Sequence, residues 1–159
     1  MLTSGQARCW GANNNAQVGD GSATSADRSR PVIVVHQGGT PFSGAGEISA
    51  GGYHTCARVT AQVRCWGRGG SIGNGSTTNN TAFFPTVQID SGSGYTCAAL
   101  TTGQARCWGV NAEGSLGDGS STDRNLPVVV TNGDGTGPLT EVAEVHAAER
   151  HTCARLDSG

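Results

Sequence analysis

Cys107-Trp108-Gly109-Val110-Asn111-Ala112-Glu113-Gly114-Ser115-Leu116-Gly117-Asp118-Gly119-Ser120 decides the fold, because the chain writes this stretch more than once. Cys9-Trp10-Gly11 leads into Asn13-Asn14-Asn15-Ala16-Gln17-Val18-Gly19-Asp20-Gly21-Ser22, and Cys65-Trp66-Gly67 into Ser71-Ile72-Gly73-Asn74-Gly75-Ser76. Each copy reaches a proline and an apolar run: Pro31-Val32-Ile33-Val34-Val35, Pro85-Thr86-Val87 and Pro127-Val128-Val129-Val130. A second signature closes the unit at His54-Thr55-Cys56-Ala57, Tyr95-Thr96-Cys97-Ala98 and His151-Thr152-Cys153-Ala154. Short β-prone runs between Asn-Gly, Asp-Gly and Gly-Gly turns read as strands and hairpins, with no sustained helical period.

A period of some 40 to 56 residues with about four strands per unit predicts an all-β array of antiparallel sheets, about three blades of a β-propeller. The whole of 1–159 forms one array, with approximate units 1–55, 56–96, 97–152 and 153–159. The first of these holds the second half of one blade and the start of the next. Successive tryptophans stand 56 and then 42 residues apart, so the middle unit is short by about 14. The gap falls after Pro85, where the other units carry a Gly-rich turn and a strand (Glu47-Ile48-Ser49 and Glu141 to Val145). The blade has lost an outer strand and turn, or the segment is a plain deletion.

Composition narrows the function. Hydrophobic residues make up 35% and aromatics 5% of the 159 residues, against 26 glycines, which suits a turn-dense β architecture. Net charge is −2 with charges scattered singly, so no basic stripe is available to neutralise phosphates and nucleic-acid binding is not expected. No apolar run approaches the ~18 residues of a membrane span, and Met1 to Gly5 shows no leader pattern. Membrane insertion is therefore not expected.

The six cysteines occupy fixed places in the repeat. Cys56 and Cys65 flank one hairpin and Cys97 and Cys107 another, which sets each pair on facing positions of adjacent strands, within reach of a disulfide. Cys9 lacks an upstream His-Thr-Cys strand and Cys153 a downstream Cys-Trp-Gly strand; together they would complete one more hairpin. Leu156-Asp157-Ser158-Gly159 and Leu2-Thr3-Ser4-Gly5 both resemble the tip Leu100-Thr101-Thr102-Gly103. Cys9 and Cys153 pair within one chain or with neighbouring chains; both remain open. A zinc set of His54, Cys56 and Cys65, or of His151, Cys153 and Cys9, offers at most three ligands without the close Cys-Cys knuckle of structural zinc. Disulfides are expected instead, and with them an extracellular or cell-surface location.

The same residues resemble the regulator of chromosome condensation repeat family, in the cysteine-bearing form common in bacterial secreted and surface proteins. Asn13 to Gly21 and Asn111 to Gly119 fit its pattern well, whereas Arg68-Gly69-Gly70 replaces an Asn-led turn. The resemblance implies a propeller of usually seven blades, so three repeats imply a fragment of a longer protein or several copies assembling through exposed blade edges and the split hairpin. Family members include an exchange factor for a small nuclear GTPase, a plant photoreceptor and a bacterial inhibitor of β-lactamase, all presenting loops to a protein partner. Photoreception needs clustered Trp in the segment before the His-Thr signature, and 51–55, 92–96 and 148–152 contain none.

No Gly-x-Ser-x-Gly elbow, phosphate loop or His-Glu-x-x-His is present, and Asp20, Asp118 and Asp134 read as turn residues rather than catalytic or calcium-binding ones. No enzyme activity and no cofactor are expected. The expected function is a non-enzymatic protein-binding scaffold, with a GTPase exchange factor or a purely structural self-associating repeat as alternatives. Tyr53, Ser93, Gly94, Glu149 and Arg150 hold the variable places of a repeated segment and are the candidate partner-facing residues. His54, Tyr95 and His151, with Trp10, Trp66 and Trp108, read as packing residues.

Overall fold

A computed structural model describes residues 5–22, 24–36, 38–73, 80–82 and 85–157. The expected turn at Asn74-Gly75-Ser76 and the outer parts of the two hairpin tips, Leu2 to Ser4 and Ser158-Gly159, lie outside these residues.

Among the described residues twelve strands follow one another: β1 (Arg8–Gly11), β2 (Arg28–Ile33), β3 (Ala45–Ala50), β4 (His54–Val59), β5 (Gln62–Gly67), β6 (Asn80–Ala82), β7 (Thr86–Ser91), β8 (Tyr95–Leu100), β9 (Ala105–Gly109), β10 (Arg124–Val129), β11 (Val142–Ala147) and β12 (Thr152–Leu156). The helical content among the described residues is one 3₁₀ turn at Gly69–Ser71. Consecutive strands pair antiparallel into two four-stranded sheets, β3-β4-β5-β6 and β7-β8-β9-β10, flanked by two-stranded sheets β1-β2 and β11-β12. Register equivalence identifies β1-β2 as the outer half of a blade and β11-β12 as the inner half of another. The order of layers is thus half-blade, blade, blade, half-blade.

Strands β4 and β8 have both faces against neighbouring blades, which is why each runs largely through small or apolar residues rather than alternating. In β8, Tyr-Thr-Cys-Ala-Ala-Leu, every residue is buried. Three hydrophobic clusters, one per seam, make the core. Ala7, Val34 and Phe42 meet Ala45, Ala57 and Trp66 at the first seam. Cys56, Val63 and Ile72 meet Ile89, Ala98, Leu100 and Trp108 at the second. Tyr95, Ala99, Ala105 and Leu116 meet Val142 and Val145 at the third. Among the described residues the main contacts between blades run between neighbours, as expected of a repeat array.

Neighbouring inner strands do not share a backbone ladder; side chains stitch them. Glu47 Oε2 accepts from Ile89 N at 3.2 Å, and the equivalent Gln88 accepts from Val145 N and donates to Val145 O, both at 2.8 Å. Asp90 accepts from Ser49 Oγ on one side and from Ala147 N on the other.

The short middle unit requires a correction. It keeps all four strands, since β6 pairs with β5 as the outer strand of its blade. Thr86-Val87 opens β7, whose register on β8 repeats that of β3 on β4 and of β11 on β12. Gln88-Ile89-Asp90 therefore corresponds to Glu47-Ile48-Ser49, and Pro85 is not the counterpart of Pro31. What the other units add is a connector: residues 34–44 and 130–141 fold back through the bridges Val35–Pro41 and Thr131–Pro138. Between β6 and β7 three residues suffice. Proline suits both places because neither requires its missing N–H.

Candidate functional site

The cysteine pairs are explained by the ladder itself. Cys56 faces Cys65 and Cys97 faces Cys107 in the registers of β4 on β5 and β8 on β9. Both pairs are joined as disulfides with Cα atoms 4.1 Å apart. The sulfurs of the first alternative zinc set, Cys56 and Cys65, are thus bonded to each other, and His54 turns away to the next blade. Among the described residues no group of three or more His, Cys, Asp or Glu side chains converges as a metal site. Cys9 and Cys153, expected to pair, are both free thiols here, Cys9 half-buried and Cys153 exposed. Burial pushes the Cys9 thiol up to about 11.

The expected packing residues divide. Trp66, Trp108, His54 and Tyr95 are buried. His54 Nε2 lies 2.6 Å from Thr96 Oγ1 across the second seam, and burial lowers its pKa to about 4, so the ring is neutral at pH 7. Tyr95, at the equivalent place, donates its hydroxyl to His151 O at 2.6 Å across the third seam. Trp10 and His151 are instead exposed, Trp10 by 62%. They occupy packing positions whose neighbouring half-blade is absent among the described residues.

The turn acidic residues hold their own loops. Asp118 accepts from Ser120 N and pairs with Arg124 at 2.8 Å, and Asp20 repeats this with Ser22 and Arg28. Asp134 accepts from Thr136 N and Oγ1. Asn111 organises the same loop in the complete blade: its Nδ2 donates to Ser120 O and Thr122 O while its Oδ1 accepts from Leu116 N.

The five candidate partner-facing residues come together. Tyr53 lies in the turn from β3 to β4, Ser93 and Gly94 in the turn from β7 to β8, and Glu149 and Arg150 in the turn from β11 to β12. These three equivalent turns open at one end of the array, and all five residues line one depression of about 280 Å³. Its floor is held from the preceding blade: Ser71 Oγ donates to Gly94 O at 2.8 Å and Ser115 Oγ to Arg150 O at 2.6 Å. Two turns with different sequences are thereby anchored by the same hydroxyl-to-carbonyl contact, leaving their side chains free to vary.

Sequence reasoning missed Arg68, Val110, Ala112 and Glu113, which complete the wall. They follow the Cys-Trp-Gly strands, where Arg68 N and Val110 N bond the turns of their own blades at Tyr53 O and Gly94 O. Arg68 carried a signal, standing where an Asn-led turn is the pattern. Its guanidinium lies 5.6 Å from the centre of the half-exposed Tyr53 ring, a cation–π arrangement. Arg150 Nη1 is 3.6 Å from Glu113 and its Nε 3.7 Å from Glu149, all three exposed. Such surface pairs contribute about 1 kcal/mol or less to stability, so these groups are available for exchange with a partner's charges.

Known proteins place the architecture. The solved human WBSCR16 structure superposes with a TM-score of 0.79 at 20% identity, over 97% of this chain and 40% of that one. Prp20p from Saccharomyces cerevisiae, described with its binding properties to Gsp1p and histones, gives 0.78 at 15% identity over 97% of this chain and 40% of its own. Yeast RCC1 (Prp20) bound to Kap60 gives 0.78 at 16%, over 99% and 40%. The chain thus spans about 40% of the length of the solved structures it matches, and at these identities the likeness shows a shared β-propeller fold. No curated protein matches the chain in sequence. Models of the Regulator of chromosome condensation (RCC1) repeat match residues 102–155 and 86–115. Residues 86–155 thus carry the regulator of chromosome condensation repeat, and the blade before them repeats the same strands, disulfide and tryptophan in the same register.

Proposed function

We propose that this chain is a non-enzymatic protein-binding module of a secreted or cell-surface propeller protein, and that the depression under Tyr53, Ser93, Gly94, Glu149 and Arg150 receives the partner. The observation that carries this reading is the convergence of all five variable positions, from three different turns, on one cavity. Variable side chains on a repeated, anchored frame are a means of placing specificity without disturbing the core. The lining suits a protein loop: an apolar patch at Tyr53 and Val110, and Arg68, which has no carboxylate within ion-pair distance among the described residues, ready for an acidic side chain. Two hairpin disulfides favour an oxidising compartment, and among the described residues no helix is long and apolar enough to cross a membrane.

Affinity capture with the wild-type chain tests the proposal. Tyr53→Ala and Arg150→Ala should each weaken the captured complex at least about tenfold, in line with aromatic and Arg hot spots, while leaving the unfolding midpoint unchanged. Equal capture by both variants would remove the depression as the docking site. Exchange activity like that of a GTPase regulator would appear in a separate assay, as accelerated nucleotide release from a small GTPase. Such acceleration would overturn the scaffold reading.

A further inference from the structure

We propose that the half-blade β11-β12 is a receptor for the Cys9-Trp10-Gly11 strand of a second copy of this chain, seating Trp10 in an existing cavity and joining Cys153 to Cys9. The proposal does not rest on the partner reading above, although Glu113, Ser115 and Arg150 line both depressions.

The internal seams show what a seated tryptophan requires. Trp66 clusters with Ala7, Val34, Phe42 and Ala57, and its Nε1 donates to Gln17 O at 2.9 Å. It lies flat over Gly19, where a Cβ would come within 2.5 Å of the indole nitrogen, and Trp108 lies over Gly73 in the same way. Both glycines have φ near +70°, so the backbone and the missing side chain together make the seat.

One blade further on, the seat exists without an indole. A cavity of about 290 Å³ is lined by Ala105, Val130, Leu139, Ala154, Gly117 and Ser115. These are the register equivalents of Ala7, Val34, Phe42, Ala57, Gly19 and Gln17. Leu139 N donates to Val130 O just as Phe42 N donates to Val34 O, both at 2.8 Å. Thr152 Oγ1 donates to Ser115 O as Thr55 Oγ1 does to Gln17 O, both at 2.8 Å. Gly117 keeps φ +63° with no indole above it.

The chain also carries the matching insert. β1 is Arg-Cys-Trp-Gly, the sequence at the end of β5 and β9, and Trp10 is 62% exposed where Trp66 and Trp108 are buried. Pairing β1 of a second copy with β12 in the register of β5 on β4 sets Cys9 opposite Cys153, Trp10 opposite Thr152 and Gly11 opposite His151. The same docking brings Glu144 and His151 to Ile48 and Thr55 of that copy, repeating the Glu47–Ile89 and His54–Thr96 contacts.

The bond needs an oxidant, for which a small disulfide of the glutathione class serves. The exposed Cys153 thiolate attacks it, forming a mixed disulfide and releasing one small thiol. Cys9 of the second copy, as thiolate, then attacks the Cys153 sulfur and displaces the other. Two electrons pass to the small disulfide, and the two protein thiol protons end on the two released thiols.

The test equilibrates the 159-residue chain in oxidised and reduced glutathione, followed by non-reducing denaturing electrophoresis and mass mapping of the linked peptides. Wild type should form oligomers linked Cys9 to Cys153. Cys9→Ser alone and Cys153→Ser alone should form none, and an equimolar mixture of the two should stop at the dimer. Ala154→Arg keeps both thiols and fills the seat, and should reduce linkage roughly tenfold or more, since burial of the indole is lost. Intact Cys56–Cys65 and Cys97–Cys107 bonds in each variant show that it has folded. Linkage of Cys9 to Cys9, an intrachain Cys9–Cys153 bond, no linkage in wild type, or undiminished linkage in Ala154→Arg would each overturn the proposal.

Discussion

Strands β8 and β12 carry nearly the same message, Tyr-Thr-Cys-Ala against the closing His-Thr-Cys-Ala signature, and meet opposite environments. Every residue of β8 is buried, and none of β12 is. Cys97 is bonded and Cys153 is free; Trp108 is fully buried and Trp10 largely exposed. The difference lies in what stands beside them, not in local sequence. In an array whose blades touch mainly their nearest neighbours, the same tripeptide is core or surface according to whether a further half-blade is present.

That comparison can be broken most sharply at the tryptophans. Trp108→Ala should cost about 3–5 kcal/mol of unfolding free energy by urea titration, whereas Trp10→Ala in the monomeric chain should stay within about 0.5 kcal/mol. Similar losses at both positions would mean that Trp10 is already covered. Next comes acid. His54 is held neutral in the folded chain, with its pKa lowered from 6.5 to about 4 by burial. As pH falls, the unfolded chain takes up the proton first, so stability present above pH 6.5 is lost between there and pH 4, on the order of 3 kcal/mol. His54→Gln should flatten that slope when urea midpoints at pH 7 and pH 4.5 are compared; an unchanged slope would place the acid sensitivity elsewhere. The smallest effect belongs to sulfur. Replacing both Cys97 and Cys107 by Ser should cost about 2–3 kcal/mol, the loop entropy of a ten-residue closure, against no measurable change for Cys9→Ser with Cys153→Ser in the monomer.

Much of this was legible from residues alone, for identifiable reasons. Hairpins and their disulfides follow from spacing, because Cys56 and Cys65 flank a tight turn that fixes their register. The five turn residues were legible because a repeat exposes its own variable places. Glu113 was not, since the loop after a Cys-Trp-Gly strand reaches across to the next blade and no local pattern records where it lands; Arg68, which meets Tyr53 of its own blade, showed only as a departure from the pattern. Nor was the fate of the short unit. A Pro-led apolar run lies within an outer strand at Pro127 but precedes an inner one at Pro85, and pairing partners alone tell them apart. The stitching by Glu47, Gln88 and Asp90 was likewise hidden, because polar residues on an inner strand look like solvent positions until a neighbour's backbone is set against them.

The position of the sulfur bridges has one more consequence. Each crosses between the second and third strands of its sheet, at the hairpin whose exposed tip is Thr60-Ala61 or Thr101-Thr102. A protease that nicks such a tip would cut the polypeptide but leave the two halves of the blade covalently attached. The peptide connection there is dispensable to the sheet, which makes these tips natural places to open the chain, graft an insertion or move the termini.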